Sequence, residues 1–468
     1  MADADSGKNE GKAQAGRPPR KKRRTVIIGI DGVPFRLMDE LSEKGVMPNF
    51  ARLRKDGVFR KMSSSIPEIS SVSWSSIITG RNPGEHGVFG FTDMLPGTYT
   101  VSFPNFSSLK APAFWQADAA AGSEKRGNNR ENAGGNSKAP GNGRKYVIIN
   151  VPSTYPAQEL NGFLVSGFVS LDLERATYPK SYVPKLTEMG YQIDVDASKG
   201  HKSKSLLLDE LFRVHGLRMK AVRELWDSVE WDVFMAVFTG SDRLGHFLWD
   251  AYEDPGHEHH QRFLDYFAEI DKAIGELVSK MASQDSLLIC SDHGMELAEK
   301  SVNVNQVLVE NGYLILDNKP GLQYNNIKEG TKAFAMDPGR IYINRIGMYP
   351  RGCVRPAGEE EIIGQLAKLF SGLEVDGKKV MKAVYRSGDI YKGPHAEKGP
   401  DIVLLPNKGF NLKSSLSELL DGSEAREGVL TGKHSQDDAF LFVKGKENMA
   451  IVPDKPSVED IAGILEKL

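Results

Sequence analysis

Cysteine is scarce in this sequence, and neither sign of charge dominates it. Only Cys290 and Cys353 occur in 468 residues, far apart, which excludes a disulfide-stapled secreted scaffold and fits a reducing cytosol. Sixty Lys and Arg stand against 62 Asp and Glu, a net charge of −2, so there is no global field for holding nucleic acid or an anionic membrane. Long hydrophobic runs are also missing. None approaches the roughly 18 residues of a spanning helix, and the basic N-terminus has no apolar stretch behind it to make a Sec signal. The expectation is a cytoplasmic protein with no membrane span. Its 40% hydrophobic and 26% charged residues are ordinary for a folded core, in one large domain with insertions or in two to three smaller ones.

Two segments are too polar to order themselves. Residues 1–24 end in Arg20-Lys21-Lys22-Arg23-Arg24. With no aromatic residue interleaved they read as a disordered basic arm, making at most a weak nucleic-acid contact. Gly122 to Lys145 holds six Gly and five Asn in 24 positions and no large apolar side chain. It is expected to be a flexible surface insertion, because it buries too little to offset its ordering entropy.

Elsewhere short β-branched runs alternate with helical periodicity, which predicts an α/β chain. Expected buried strands are Thr25–Ile30, Tyr146–Asn150, Asp232–Phe238, Ser286–Cys290, Arg340–Ile343 and Ala439–Val443. One helix is expected from His260 to Met281, where Phe263, Leu264, Phe267, Ile270, Ile274, Leu277, Val278 and Met281 recur at 3.6-residue spacing. A second is expected over Ser205–Trp226. Parallel strands between helices place their ligands beyond the carboxyl ends of the strands.

Chemistry-bearing residues sit at those ends. The first strand runs into Gly29-Ile30-Asp31-Gly32, and the third into Thr239-Gly240-Ser241-Asp242-Arg243-Leu244-Gly245-His246. The fourth runs into Ser291-Asp292-His293-Gly294, and Gly432-Lys433-His434-Ser435 precedes the last. Asp242 and His246, four apart, face one side if the segment is helical. Three carboxylates and three imidazoles at one sheet edge suit divalent transition ions, Zn²⁺ first and Mn²⁺ second. Ser70-Ser71-Val72-Ser73-Trp74 supplies a nucleophile: a serine at a helix mouth meets free N–H groups and the positive dipole end. Ser70 stands at that mouth, as this nucleophile or as a bare N-cap, with Ser71 one residue away. His257, His259 and His260 open the long helix on its polar side and are expected to be solvated. His86 is expected to be structural.

These residues resemble the alkaline phosphatase superfamily, in its type I phosphodiesterase/nucleotide pyrophosphatase branch. Gly-Ile-Asp-Gly, Met47-Pro48-Asn49-Phe50, the serine helix, Pro83-Gly84-Glu85-His86-Gly87-Val88, Asp-Xaa-Xaa-Xaa-His, Asp-His-Gly and Gly-Xaa-His all carry the likeness. The segments Asn150-Val151-Pro152 with Tyr155-Pro156, and Gly339-Arg340-Ile341-Tyr342-Ile343-Asn344, are similar to a prokaryotic subgroup of phosphohydrolases or phosphomutases. The resemblance implies an α/β/α sandwich over residues 25–468 with a mostly parallel central sheet and cap insertions near 95–230 and 300–430. It implies two metal ions, one on Asp242, His246 and His434, the other on Asp31, Asp292, His293 and the Ser70 oxygen. It also implies a phosphohydrolase acting on a small phosphate ester through a phospho-serine. Phe91 stands where the nucleotide pyrophosphatases place an Asn that holds a phosphate oxygen; Arg243, within the metal motif, is a candidate substrate contact or, equally, half of an ion pair across the loop. Non-nucleotide diesters are favoured slightly over monoesters. A phosphomutase using the same serine and metals is the alternative reading, and a silent binding protein on the same fold is the third.

Overall fold

The computed structural model describes residues 23–118, 143–170, 172–317, 319, 323–416 and 430–468. The expected basic arm up to residue 22, and the Gly- and Asn-rich stretch up to residue 142, lie outside the described residues. Arg24 is not part of such an arm. Its amide and guanidinium both reach the Asp285 carboxylate, at 3.2 and 2.9 Å, and its guanidinium lies 4.2 Å from the Trp231 ring centre.

Eight strands form the central sheet: β1 Thr25–Ile30, β2 Gly57–Met62, β3 Tyr146–Val151, β4 Gly162–Ser166, β5 Thr177–Tyr178, β6 Val233–Phe238, β7 Ser286–Cys290 and β8 Ala439–Lys444. Their spatial order is β2-β8-β7-β1-β6-β3-β4-β5. From β7 to β4 the pairing is parallel. At the edges β8 runs antiparallel to β7 and β2, and β5 antiparallel to β4. Side chains of β1 alternate between two apolar layers, Val26, Ile28 and Ile30 on one face and Ile27 on the other. That is why the parallel strands read as continuous apolar runs.

Helices cover both faces. Lys204–Ser228 and His260–Ser279 bury Leu208, Leu211, Leu225, Phe263, Phe267, Ile270 and Ile274 against the first layer. The serine helix Ser70–Thr79 and the C-terminal helix Asp460–Lys467 bury Trp74, Ile77, Ile78, Ile461 and Ile464 against the second. The result is an α/β/α sandwich. No helix among the described residues is long and apolar enough to cross a membrane.

A second lobe leaves the sheet after His293, along the strand Gly294–Asn303, and has its own apolar cluster. It contains an antiparallel sheet of Ala333–Met336, Arg340–Ile343, Ile402–Pro406 and Met381–Arg386. Arg340–Ile343 is therefore a strand, but one of this lobe and not of the parallel series. The expected first insertion, 95–230, does not stand apart from the sandwich: β3, β4 and β5 fall inside it, and so does a helix on the sheet's face. Their apolar faces are completed only by the central sheet, so they are core.

Met47-Pro48-Asn49-Phe50 has a clear local role. Asp271 of the long helix, 1% exposed, accepts hydrogen bonds from the Asn49 amide at 2.9 Å, the Asn49 side chain at 2.8 Å and the Phe50 amide at 2.8 Å. It thereby caps the helix Pro48–Leu53 from across the fold. Asp271→Ala strands two amide donors and should cost about 3 kcal/mol in urea denaturation. A loss below about 1 kcal/mol would show that these amides find other partners.

Candidate active site

Register builds this site. Ile30 of β1 lies opposite Phe238 of β6, and Gly29 lies opposite Cys290 of β7. Three strands therefore end level, and Asp31, the Thr239–Asp242 turn and Asp292-His293 emerge at one edge. Asp242 and His246 occupy the first turns of the helix Gly240–Glu253, on the same side as their spacing requires. His434 arrives differently. The strand Gly432–Ser435 pairs antiparallel with the start of Gly294–Asn303, Met295 opposite His434, which stacks the His434 ring on His293 with centres 3.6 Å apart. Gly32 must be glycine here: its φ is +68°, and a Cβ would lie 2.9 Å from Asp242 Oδ1.

Asp242 Oδ1 is the hub of the cluster. It lies 3.4 Å from His246 Nε2, 3.2 Å from His434 Nε2 and 3.9 Å from His293 Nε2. His246 Nε2 and His434 Nε2 are 2.9 Å apart. On the other side His293 Nε2 lies 3.7 Å from Asp31 Oδ1 and 3.3 Å from Asp292 Oδ2. Ligand atoms of Asp242, His293 and His434, and of Asp31, Asp292 and His293, gather within 4.8 Å in each group.

Each imidazole is held by the nitrogen that faces away from the cluster. Nδ1 of His246 lies 3.0 Å from the Gly432 carbonyl, that of His293 2.9 Å from the Gly294 carbonyl and that of His434 2.7 Å from the Glu68 carbonyl. A carbonyl only accepts, so each Nδ1 carries the proton and each Nε2 presents a lone pair inward. Two facing lone pairs 2.9 Å apart repel unless a cation lies between or beside them. The carboxylates are prepared in the same way. Trp74 Nε1 donates to Asp31 Oδ2 at 3.0 Å, and the Gly32 amide donates to Asp292 Oδ1 at 3.0 Å. Their other oxygens, Asp31 Oδ1 and Asp292 Oδ2, together with Asp242 Oδ1, are buried without any hydrogen-bond partner. Buried carboxylate oxygens left unpaired are costly, and this donor set of hard oxygens and imidazoles fits divalent cations.

The titration behaviour follows from the packing. Burial, then the charges of Asp292 and Asp242, holds Asp31 well above the usual carboxylate range. Burial likewise pushes Asp292 up to about 7. Burial acts in the same direction on Asp242, but His246 and His434 beside it pull it below the ordinary value. Burial lowers His293 to about 4, and also lowers His246 and His434.

Ser70 is the first residue of its helix. Ile69 holds the cap position without a side-chain cap, so the first N–H groups face outward from the helix mouth. Ser70 Oγ is 3.0 Å from His293 Nε2, whereas Ser71 Oγ is buried without a hydrogen-bond partner.

Comparison with known proteins gives this geometry its context. The sequence model of the type I phosphodiesterase / nucleotide pyrophosphatase family matches residues 25–437. The chain belongs to that family. It is thus a phosphoester hydrolase of a superfamily that uses divalent metals. The fold is similar to that of phosphonoacetate hydrolase from Sinorhizobium meliloti 1021, solved with phosphonoformate. The TM-score is 0.59 at 16% identity, with 95% of each chain covered. It is also similar to murine ectonucleotide pyrophosphatase / phosphodiesterase 5, with a TM-score of 0.53, 12% identity, and 95% of this chain and 94% of that one covered. No curated protein matches the sequence.

Other residues of this phosphodiesterase-family chain are placed less simply. Arg243 is not free to meet a substrate. Its guanidinium is 2.8 Å from Asp194 and 3.5 Å from Asp242 Oδ2, and it lies 4.3 Å from the Phe168 ring centre. Phe91 meets the same Phe168 ring edge-on at 5.6 Å. His86 binds Ser76 Oγ and the Val88 amide, and burial lowers it to about 3, which keeps it neutral. His259 is buried, not solvated, while His257 faces Asp250 at 3.8 Å. The residues that sequence reasoning missed are the carbonyls of Glu68, Gly294 and Gly432, the Trp74 indole as a donor, and Asp194. Only Gly294 and Gly432, inside the motifs themselves, left any local signal.

In the ion-free protein, Asp31 and Asp292 keep protons that the unfolded chain releases near pH 4, so their contribution to stability is lost as pH rises through their folded values. The lowered histidines act oppositely, but only up to about pH 6.5. Chelated protein should therefore lose thermal stability as pH rises from 6.5 through about 7, the folded value of Asp292, and added Zn²⁺ or Mn²⁺ should abolish that loss. A chelated melting temperature that is flat or rising over this window would contradict the carboxylate assignment.

Proposed function

We propose that the chain is a two-metal phosphohydrolase that cleaves small phosphate esters, diesters in preference to monoesters, through a phospho-serine. The observation that carries this reading is the set of three buried, unpartnered carboxylate oxygens facing three inward imidazole nitrogens, with Ser70 Oγ 3.0 Å from one of them. The two sets are Asp242, His246 and His434, and Asp31, Asp292 and His293 with Ser70. Zn²⁺ is the first candidate and Mn²⁺ the second. When bound, such ions neutralise phosphoryl oxygens and the developing charge on the leaving oxygen, and favour ionisation of the serine.

The chain's own residues do the rest. The open mouth of the Ser70 helix faces an anion with its N–H groups. Ser70 Oγ attacks phosphorus in line, the oxygen–phosphorus bond forms, and the alcohol departs from the opposite side. Water then attacks the phospho-serine, releasing the phosphate product and restoring the hydroxyl. Gly32 leaves room for Asp242, and Trp74 and Arg243 fix the carboxylates so that one oxygen of each stays turned inward. The diester preference rests on charge: a dianionic monoester needs more cationic partners, while Arg243 is already committed to Asp194 and Phe91 offers no hydrogen bond.

Ser70→Ala should lower kcat on an aryl phosphodiester by at least a thousandfold, with zinc content and melting temperature nearly unchanged, and Ser71→Ala should stay within about fivefold of wild type. Full activity in both variants would contradict the phospho-serine route. A tenfold preference for the matched monoester, about 1.4 kcal/mol in transition-state binding, would reverse the substrate assignment.

A further inference from the structure

Between the serine helix and the second lobe runs the segment Asn82–Thr92, and it is fastened to that lobe along its length. The Asn82 side chain donates to the Ile390 carbonyl at 3.1 Å and accepts from the Lys392 amide at 3.0 Å. The His395 amide donates to the Gly84 carbonyl at 2.8 Å, and Phe89 packs edge-on against Tyr391 with ring centres 5.0 Å apart. The strongest fastening is Arg340, from the motif that the catalytic geometry does not use. Its side chain is 0% exposed, among the largest fully buried in the protein. One guanidinium nitrogen donates to the Thr92 carbonyl at 2.9 Å and to Tyr342 Oη at 3.3 Å, the other to Thr92 Oγ1 at 3.2 Å, and Nε to the Asp337 carbonyl at 2.7 Å. Gly90 lies flat against it: a Cβ there would be 2.4 Å from Arg340 Cζ.

Phe91 sits between these two anchor points, Gly90 and Thr92. Its ring leans on Phe168, Phe168 lies under the Arg243 guanidinium, and Arg243 touches Asp242 Oδ2 at 3.5 Å. A contiguous series of contacts thus joins the second lobe to a carboxylate of the catalytic cluster, with an aromatic wall on the way.

We propose that Arg340 is a positioning residue through which the second lobe sets the Phe91 wall, and with it the preference for diester over monoester. The proposal rests on the phosphohydrolase reading above. Its physical basis is that a buried guanidinium, anchored in its own lobe by Asp337 and Tyr342 and bonded twice to Thr92, holds the Thr92 end of the segment in a single place, whereas a lysine lacks the planar fork to do so. A diester has a second organic substituent to lie against an apolar wall. A monoester has none, so only the diester responds when the wall moves.

The test compares Arg340→Lys and Gly90→Ala on matched aryl mono- and diesters with the full chain and its metals. Arg345→Gln serves as control, because Arg345 pairs with Asp401 and Glu359 inside the same lobe and has no contact with residues 82–92 in its hydrogen bonds or ion pairs. Both test variants should raise KM for the diester at least tenfold with kcat within about twofold, and should leave the monoester within twofold. The control should lower the melting temperature without changing the ratio of the two kcat/KM values. Equal losses on both esters, an unchanged ratio in both test variants, or the same ratio change in the control overturns the role of Arg340. A wild-type chain that hydrolyses neither ester overturns the hydrolase reading, and this inference falls with it.

Discussion

Three carboxylates share a buried edge of the sheet, and each leaves an oxygen without a hydrogen-bond partner. Mutual repulsion and desolvation both oppose this arrangement, so the rest of the site is organised to sustain it. Level endings of β1, β6 and β7 bring the carboxylates together. Trp74 and the Gly32 amide satisfy one oxygen each and thereby aim the other. Backbone carbonyls set the tautomer of all three histidines, so lone pairs and not protons face the acids. An arrangement so rich in acceptors is stable in company with cations, and the family to which the chain belongs provides the chemical setting for them.

The parts of this site that were legible in the sequence are those written in consecutive residues. Asp31, Asp242, His246, Asp292 and His293 each follow a strand whose apolar run is continuous, and the parallel register then fixes where the strand tips lie. The spacing of Asp242 and His246 is a local property of a helix. His434 was legible from its motif, but its partner was not: the stacking on His293 depends on a strand pairing over more than a hundred residues. The Glu68 carbonyl that orients His434 has no side-chain signature, because any residue supplies a carbonyl.

The fold was legible to the same degree and for the same reason. Strand and helix bounds followed periodicity closely, as in Ser286–Cys290 and Arg340–Ile343, while sheet membership did not. Arg340–Ile343 looks from its own residues like any buried strand, and only its pairing with Ala333–Met336 and Ile402–Pro406 reveals a second sheet. The 95–230 range lacked a motif and so read as an insertion, yet motif-free strands such as Gly162–Ser166 complete the central sheet. Arg24 read as the end of a basic run until Asp285 and Trp231 appeared beside it. In each case the deciding contact lies far along the chain.

The central claim is that two cations answer the unpaired acceptors, one in each ligand set. Elemental analysis of the purified protein after zinc loading and buffer exchange tests it most directly. The wild type should retain two zinc ions per chain, and His246→Ala and Asp31→Asn, each altering one set alone, should retain one. A wild type that holds fewer than two, or either variant that still holds two, would contradict the account.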